Sequence, residues 1–289
     1  DREEYKKKQT TVESRNSGTL TVWCENSLAH IIETPVKWYK DDYPDVDLTI
    51  KTASSREVME KLLTGKARAV IMSRDYLEDE DSLMQEYDVK EHKTLPLAKD
   101  AVVFFTQKDF PVDSLNARQV KKFLTDTDYR MQDDFPQLTT EPELAVTGIY
   151  SSEYWNMYHM AADTNKMVKR FVRFSTVDSV LNYVDNNPET IGVAYLSKLV
   201  PDSAKYKMLA IPYYDSTGRY ISPKPVHQGW IVQGYYPYIV KHRIYLLEDR
   251  LNLPYWFAMY FAREAKVQRY FKNSGIVPAY AKIQLNFEG

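Results

Sequence analysis

Serine residues recur where this chain is predicted to pass from a strand into a helix. A helix N-terminus offers unpaired backbone N–H groups and a partial positive charge, which together suit an anion. A serine hydroxyl at the same place adds one more hydrogen-bond donor. Such turns could therefore hold an oxyanion, although serines in this position most often only cap their own helix. The serines concerned are Ser27, Ser54, Ser55, Ser151 and Ser152.

The first two of these turns belong to a segment, 18–74, that alternates strand and helix patterns. Residues 19–23 are rich in β-branched and aromatic side chains, residues 45–52 alternate apolar and polar ones, and residues 69–72 are a short apolar run. Between these strands, apolar residues recur at helical spacing. A β-α-β-α-β order implies a parallel sheet with right-handed crossovers. In such a sheet the strand-to-helix turns gather at the carboxyl edge, where ligands bind.

The rest of the chain continues with strand and helix patterns and has no internal repeat. Residues 1–17 are polar and are predicted to form a tail or tether. Residues 126–143 are predicted to form a long loop, because they are rich in polar residues and contain two prolines. Further predicted strands cover 100–106, 144–150, 190–195, 207–212 and 229–234, and further predicted helices cover 115–124, 151–162, 177–184 and 254–270.

Composition excludes several classes of function. The net charge is -2, from 38 basic and 40 acidic residues, which argues against a nucleic-acid-binding protein because such proteins carry a basic excess. Cys24 is the only cysteine, which excludes an intrachain disulfide and a multi-cysteine zinc site. The five histidines lack metal-binding spacing, so neither a metal nor a cofactor is predicted. Hydrophobic residues make up 44% without a run of about 20, which indicates a globular protein with no membrane span.

Patterns typical of enzymes do not stand out in this sequence. It contains no nucleophile elbow, no phosphate-binding glycine loop and no metal-ligand spacing. Adjacent carboxylates occur at Asp41 with Asp42 and at Asp133 with Asp134. Because neighbours in sequence usually diverge, these pairs are interpreted as solvated loop charges rather than as an acid–base pair. A binding protein without catalytic turnover is therefore favoured over an enzyme.

Five segments, taken in their order along the chain, resemble a known family. The turn Glu25-Asn26-Ser27-Leu28 follows the first strand. Residues 65–74, GKARAVIMSR, are similar to the family pattern G-K-x-D-I-x-x-x-S-R. The other three segments are the strand 100–103 with the helix 115–124, residues 187–195 (NPETIGVAY, like N-P-x-x-I-G-Y) and residues 274–278 (SGIVP, like x-G-x-x-P). Across residues 18–289 the order resembles the phosphate-binding family of ABC-importer substrate-binding proteins.

The resemblance implies an α/β fold of the two-lobe periplasmic-binding-protein-like kind, type II, with the ligand cleft between the lobes. Lobe 1 would consist of residues 18–102 and a return segment, 235–289, and lobe 2 of residues 103–234. The chain would cross between the lobes near 101–106 and 231–236. Members of this family are periplasmic or extracytoplasmic and are often anchored by a lipid on an N-terminal cysteine. The polar residues 1–17 would suit the tether after such a cysteine, which this sequence does not contain.

The resemblance also implies a set of ligand-binding residues. The family holds its oxyanion at three helix N-termini, and Ser27, Ser54 with Ser55, and Ser151 with Ser152 match those positions. Two departures concern charge. The family aspartate that accepts a proton from phosphate falls at Arg68, and the family arginine would lie near Thr147 or Gly148, neither of which is basic. Arg68 could itself bind the anion as a cationic fork, or it could be a structural or surface arginine. Arg56 and Arg74 are further, weaker candidates for a positive charge.

The function that these residues and the resemblance together predict is solute binding for an ABC importer. The ligand would be phosphate or a related oxyanion, enclosed by lobe closure and delivered by a monomer to a permease at the membrane. Two alternatives stay open. One is an enzyme. The other is an interaction or sensor module that no longer binds phosphate. The 23 tyrosines and the two departures from the family pattern support this alternative.

Overall fold

Three parallel strands and two crossover helices form the first part of the fold. In the computed structural model, which describes residues 13–280, β1 (Gly18–Glu25) pairs in parallel with β2 (Val46–Ala53) and with β3 (Ala69–Met72). Helices α1 (Ala29–Asp42) and α2 (Ser55–Leu63) connect these strands. β3 is buried along its whole length, as expected for an apolar strand covered on both faces. The predicted β-α-β-α-β order of this segment is confirmed.

A single long strand, β4 (Lys93–Gln107), joins the two parts of the main sheet. Its first nine residues, 93–101, pair antiparallel with β11 (Ile239–Leu246), and residues 102–105 pair antiparallel with β7 (Thr190–Tyr195). The strand predicted at 100–106 is therefore present but begins earlier. The second half of β4, residues 101–106, is completely buried because both parts of the sheet are packed around it.

The second part of the main sheet is built on β7. β5 (Glu143–Thr147) pairs in parallel with β7 and with β6 (Val172–Phe174), which gives the order β2-β1-β3-β11-β4-β7-β5-β6. The chain passes from β5 to β6 through α6 (Ser152–Ala161). The other elements are α3 (Glu78–Glu86), α4 (Ala117–Thr125), α5 (Met131–Asp134), α7 (Val177–Asn186), α8 (Leu196–Leu199), β8 (Tyr206–Met208), β9 (Tyr213–Tyr214), β10 (Tyr220–Ile221), α9 (Gln228–Val232), α10 (Leu253–Arg263), α11 (Ala265–Asn273), β12 (Val277–Pro278) and 3₁₀ turns at Asn26–Leu28 and Val200–Asp202.

Glycine is required at one point of close approach inside this sheet. Gly192 lies in β7, where a Cβ atom would come within 2.5 Å of the Phe105 ring and 2.9 Å of a Val184 methyl group. The absence of a side chain therefore allows the aromatic ring of β4 and helix α7 to pack directly against the β7 backbone. This contact belongs to one buried apolar cluster that contains residues from both parts of the sheet.

Several sequence predictions are wrong in detail. The helix predicted at 254–270 is divided at Glu264 into α10 and α11, and the strand predicted at 207–212 covers only Tyr206–Met208. Residues 229–234 were expected to form a strand, but Gln228–Val232 is helix α9. The Nδ1 atom of His227 accepts a hydrogen bond from the Gly229 N–H at the start of this helix, and Gly234 follows its end with a φ of +75°. These local turn contacts outweigh the strand preference of the apolar run at 230–232. The loop predicted at 126–143 contains the short helix α5.

The predicted lobe boundaries, 18–102, 103–234 and 235–289, stay a prediction. Most of the predicted tail, residues 1–12, lies outside the described residues. Within 13–280, none of the helices is both long enough and apolar enough to cross a membrane.

Candidate functional site

A cavity of about 480 Å³ lies at the carboxyl edge of the sheet, where three helices begin. Ser27, Ser54, Ser55 and Ser151 line it, so four of the five predicted serines are brought together. Ser152 is completely buried and within 3.3 Å of the Ser27 Oγ atom. The convergence of strand-to-helix turns that the sequence predicts is thus present in the structure.

Two of these serines cap the helices that they precede. The Ser54 Oγ atom accepts a hydrogen bond from the Glu57 N–H at 3.3 Å, and the Ser151 Oγ atom accepts one from the Tyr154 N–H at 3.2 Å. Ser27 lies in the 3₁₀ turn directly before α1. The cavity therefore adjoins the N-terminal ends of α1, α2 and α6, whose partial positive charges favour an anion.

Ser55 connects two turns at the edge of this cavity. Its Oγ atom donates to the Tyr150 carbonyl oxygen at 2.9 Å and accepts a hydrogen bond from the Arg74 Nε atom at 3.0 Å. Arg74 in turn forms a buried ion pair with Glu80, with an N–O distance of 2.7 Å. The charge of Arg74 is therefore compensated inside the protein, and Ser55 holds the start of α2 against the turn before α6.

A group of buried polar side chains adjoins the cavity and in part lines it, and we call it the carboxylate cluster. It consists of Glu25, Ser27, Ser73, Ser152, Glu153 and Tyr195.

The serine hydroxyls of this cluster donate to the two carboxylates. The Ser152 Oγ atom donates to Glu25 Oε1 at 2.6 Å, and Ser73 donates to the same oxygen. The Ser27 Oγ atom donates to Glu153 Oε2 at 2.5 Å. The hydroxyl of Tyr195 donates to Ser152 Oγ at 2.7 Å. The predicted anion ligands Ser27 and Ser152 are thus already hydrogen-bonded to carboxylates of the protein itself.

Burial shifts the proton affinity of both carboxylates. It raises the pKa of Glu153 to about 7, opposed by the hydrogen bond from Ser27 and increased further by the negative charge of Glu25. Burial also raises the pKa of Glu25, although hydrogen bonds from Ser152 and Ser73 act in the opposite direction. Among residues 13–280, the Oε2 atom of Glu25 has no hydrogen-bond partner. Both carboxyl groups therefore keep a proton to higher pH than an exposed glutamate does.

The rim of the cavity carries charges of both signs. The Nζ atom of Lys198 pairs with Asp178 Oδ1 at 2.8 Å. The Nε2 atom of His30 lies 3.1 Å from Ser197 Oγ, and burial lowers the pKa of His30 to about 4. His30 is therefore neutral at pH 7. Among the residues that line the cavity, Lys198 is the one that carries a positive charge, and this charge is paired with Asp178.

Arg68 is the predicted ligand that the structure does not bring to the cavity. It precedes β3 and so lies at the amino edge of the sheet, whereas the serines follow their strands at the carboxyl edge. Its guanidinium forms ion pairs with Glu248, at 2.8 Å, and with Glu13. These contacts correspond to the structural alternative for Arg68. Arg56 is likewise paired, with Asp79 and Glu80.

The sequence analysis did not identify four residues of the carboxylate cluster as site residues, namely Glu25, Ser73, Glu153 and Tyr195. Ser73 follows β3 directly, so the same carboxyl-edge rule that selected the other serines would have selected it. Glu25 and Glu153 each lie within two residues of a predicted serine. Their position in the strand-to-helix turns could have identified Glu25 and Glu153 as site residues. Their burial was not predictable, because it depends on contacts between distant parts of the chain.

Within residues 13–280, no group of three or more His, Cys, Asp or Glu side chains is arranged to hold a metal ion. Cys24 is buried, and burial raises the pKa of its thiol well above the usual value. The expectation of a protein without metal or cofactor stays a prediction.

Comparison with known proteins gives one family and several structural relatives. The model of the PBP superfamily domain matches residues 9–246. The phosphate-binding protein PstS of Pseudomonas aeruginosa is 29% identical over 138 residues, which cover 47% of this chain and 42% of PstS. The chain thus spans less than half the length of the curated relative that it matches.

Solved structures match the fold over most of the chain. One, from Clostridium perfringens, was assigned as a phosphate ABC transporter substrate-binding protein and contains bound phosphate; it has 15% identity and a TM-score of 0.74, covering 90% of this chain and 99% of that one. Another is an ABC-type phosphate transport receptor from Vibrio cholerae, with 12% identity and a TM-score of 0.69, covering 90% of this chain and 100% of that one. The fold is therefore the mixed α/β fold of two-lobe binding proteins.

Proposed function

The chain belongs to the PBP superfamily, and from this we propose that it is a solute-binding protein that takes phosphate or a related oxyanion into the cleft. The observation that carries the proposal is the meeting of three helix N-termini and four serines at one cavity of about 480 Å³. Several N–H and O–H donors around one volume can satisfy an oxyanion without a full counter-charge. The phosphate-binding names of the relatives support the same ligand class.

The proposal extends to a place in the cell and to partners. A protein of this kind would work in the periplasm or another extracytoplasmic compartment, held by a lipid anchor outside this chain. It would deliver its ligand, as a monomer and by lobe closure, to an ABC permease at the membrane. A net charge of -2 supports the proposal that nucleic acid is not a partner. Catalytic turnover is not part of the proposed function.

Isothermal calorimetry with phosphate, arsenate and sulfate tests the ligand class. We expect phosphate to bind, and Ser54→Ala or Ser151→Ala to weaken it by about 1–3 kcal/mol, as for a lost hydrogen bond to a charged group. This corresponds to about one to two decades in Kd. Arg68→Ala is the matched control and should leave phosphate affinity unchanged, because its guanidinium pairs with Glu13 and Glu248 at the opposite edge of the sheet. Melting curves of each variant separate lost binding from lost folding.

One observation favours a second candidate function. The hydroxyls of Ser27 and Ser152 already donate to Glu153 and Glu25, so part of the donor set is occupied without a ligand. This arrangement suits an interaction or sensor module that no longer binds phosphate. If phosphate, arsenate and sulfate all fail to bind at millimolar concentration between pH 5.5 and pH 8.5, the oxyanion proposal is rejected and this second function takes its place.

A further inference from the structure

An oxyanion bound at the three helix N-termini would compete with the Glu153 carboxylate for the same hydrogen-bond donor, the Ser27 hydroxyl. Glu153 Oε2 accepts the hydrogen bond of Ser27 at 2.5 Å and lies 3.5 Å from the Thr147 Oγ1 atom. Thr147 and Ser27 both line the cavity. Glu153 itself lines the cavity while being only 2% exposed. A ligand that recruits the Ser27 hydroxyl must therefore take it from Glu153.

We propose that Glu153 is a built-in competitor of the oxyanion, so that above neutral pH the cleft takes up one proton for each oxyanion that it binds. This inference rests on the proposed function and assigns to Glu153 the role of the residue that sets how affinity depends on pH. The competitor is covalently part of α6, directly after the two serines that begin this helix.

The groups that face Glu153 do not supply a compensating positive charge. From β1 it faces Glu25, whose charge adds to the repulsion, and from the 3₁₀ turn it faces Ser27. From β5 it faces Thr147, and from β7 the hydroxyl of Tyr195, whose pKa is raised by burial and then by both carboxylates.

The charged groups at the rim of the cavity are largely compensated or neutral. Lys198 is paired with Asp178, and the pKa of His30 is lowered to about 4 by burial. Among the described residues, hydrogen bonds from hydroxyl groups and from the backbone N–H of Glu153 itself, in the first turn of α6, are thus what stabilises ionised Glu153.

The pKa of Glu153, raised to about 7 by burial, places the change within the physiological range. Below pH 7 the neutral side chain neither repels an oxyanion nor needs the Ser27 hydroxyl. Above pH 7 the ionised side chain does both, and the cleft must bind a proton before or together with the anion. By linkage, affinity then falls about tenfold for each pH unit, which amounts to roughly 30-fold at pH 8.5.

The test compares the phosphate affinity of the wild type with that of Glu153→Gln from pH 5.5 to pH 8.5. Glutamine keeps the size and the acceptor oxygen but cannot ionise. Phosphate itself titrates in this range, and the ratio of the two Kd values at each pH cancels that titration. We expect the ratio of wild-type Kd to variant Kd to rise about 30-fold between the two ends of the range. A ratio that does not change with pH overturns the inference.

Two controls make the outcome specific. Asp178→Asn removes one exposed negative charge from the rim without touching the carboxylate cluster, so its Kd ratio to the wild type should not depend on pH. A pH-dependent ratio for this variant would mean a general charge effect and would overturn the role of Glu153. Calorimetry of the wild type at pH 8.5, in buffers of different ionisation enthalpy, should show about one proton taken up per phosphate. No uptake overturns the inference even if the glutamine variant fails to fold.

Failure of this inference and failure of the proposed function give different results. If neither protein binds phosphate at any pH, the proposed function itself is rejected. If both bind with a constant ratio, the cleft is an oxyanion site and only the competition by Glu153 is rejected.

Discussion

We predict that the buried carboxyl group of Glu153 makes the free energy of unfolding depend on pH, even without a ligand. Burial raises its pKa from 4.5 to about 7, so the folded protein holds this proton more tightly than the unfolded chain does. The free energy of unfolding therefore falls as pH rises from about 4.5 to 7 and stays reduced above that. At about 1.4 kcal/mol per pKa unit the loss is roughly 3 kcal/mol. Glu153→Gln should remove this loss.

Urea denaturation at pH 5 and pH 8 measures the effect. We expect Glu153→Gln to be more stable than the wild type at pH 8, by up to about 3 kcal/mol, and much closer to it at pH 5. Glu86→Gln, at an exposed position on α3, is the matched control and should show the same difference at both pH values. If Glu153→Gln is less stable than the wild type by the same amount at pH 5 and pH 8, the folded protein accommodates the ionised carboxylate well. Protonation of Glu153 then does not contribute to the pH dependence of stability.

Individual site residues differ in how far the sequence could predict them. Ser54 and Ser151 were predictable, because a serine between a strand pattern and a helix pattern is expected to cap the helix that follows it. Glu153 and Arg68 were not. Glu153 accepts a hydrogen bond from Ser27, which is 126 positions away in the chain, and Arg68 is paired with Glu248, 180 positions away. The role of a charged side chain depends on such distant partners, which local sequence does not contain.

At the scale of elements, a buried pair of side chains fixes β4 to β11. Asp100 in β4 accepts a hydrogen bond from the His242 Nε2 atom in β11 at 2.9 Å, and its other oxygen accepts one from the Ser197 N–H at 3.2 Å. Both Asp100 and His242 are completely buried. Burial by itself raises the pKa of Asp100, but the hydrogen bond and charge of His242, together with hydrogen bonds from Ser197 and Ala101, outweigh it, and the net shift is downward.

Removing one partner of this pair should be costly. Asp100→Asn leaves His242 buried without its carboxylate, and we expect a loss of about 3–5 kcal/mol in the free energy of unfolding at pH 7. Because the pKa of Asp100 is lower in the folded state, the stability that its charge provides is present above pH 3.8 and is lost as pH falls below that value. Urea denaturation at pH 7 measures the loss.

A matched control breaks an exposed ion pair that bridges β4 and the turn after β11. Lys93→Gln separates Lys93 from Asp249 and should have little effect, because exposed ion pairs are screened by solvent. Equal, small losses for Asp100→Asn and Lys93→Gln would show that the buried pair does not hold the two strands together.

The order of the elements could be predicted much further than the site. Residues 18–74 have strong periodic patterns, and β1 to β3 with their helices lie where those patterns place them. The prediction failed at α9, where a side-chain cap and a glycine with positive φ decide the conformation over only five residues. It was also incomplete for β4, whose first residues, 93–99, include two lysines and a proline and depend on pairing with β11. Short elements and edges are decided by partners, not by the periodicity of the sequence.

At the scale of the whole molecule, the two parts of the sheet should unfold together. β4 belongs to both parts, and one buried cluster contains β1 residues such as Val22 as well as β7 residues such as Val193. Hydrogen bonds of the carboxylate cluster, such as Ser152 to Glu25, connect α6 with β1. Unfolding one part would expose the buried face of β4 and leave buried polar groups without partners, each at a cost of about 1–3 kcal/mol.

Tryptophan fluorescence can follow the two parts separately. Trp38 packs edge-on against Tyr270 in the first part, and Trp155 lies in α6 of the second part. In two variants that each retain one of these tryptophans, with the others changed to phenylalanine, urea transitions should coincide with each other and with the loss of far-UV circular dichroism. Phe104→Ala, in the shared strand, should lower the free energy of unfolding by about 3–5 kcal/mol. Both urea transitions should therefore move to lower concentration by the same amount. Two separate midpoints, or a shift of only one of them, would mean that β4 does not couple the parts and that each can unfold alone.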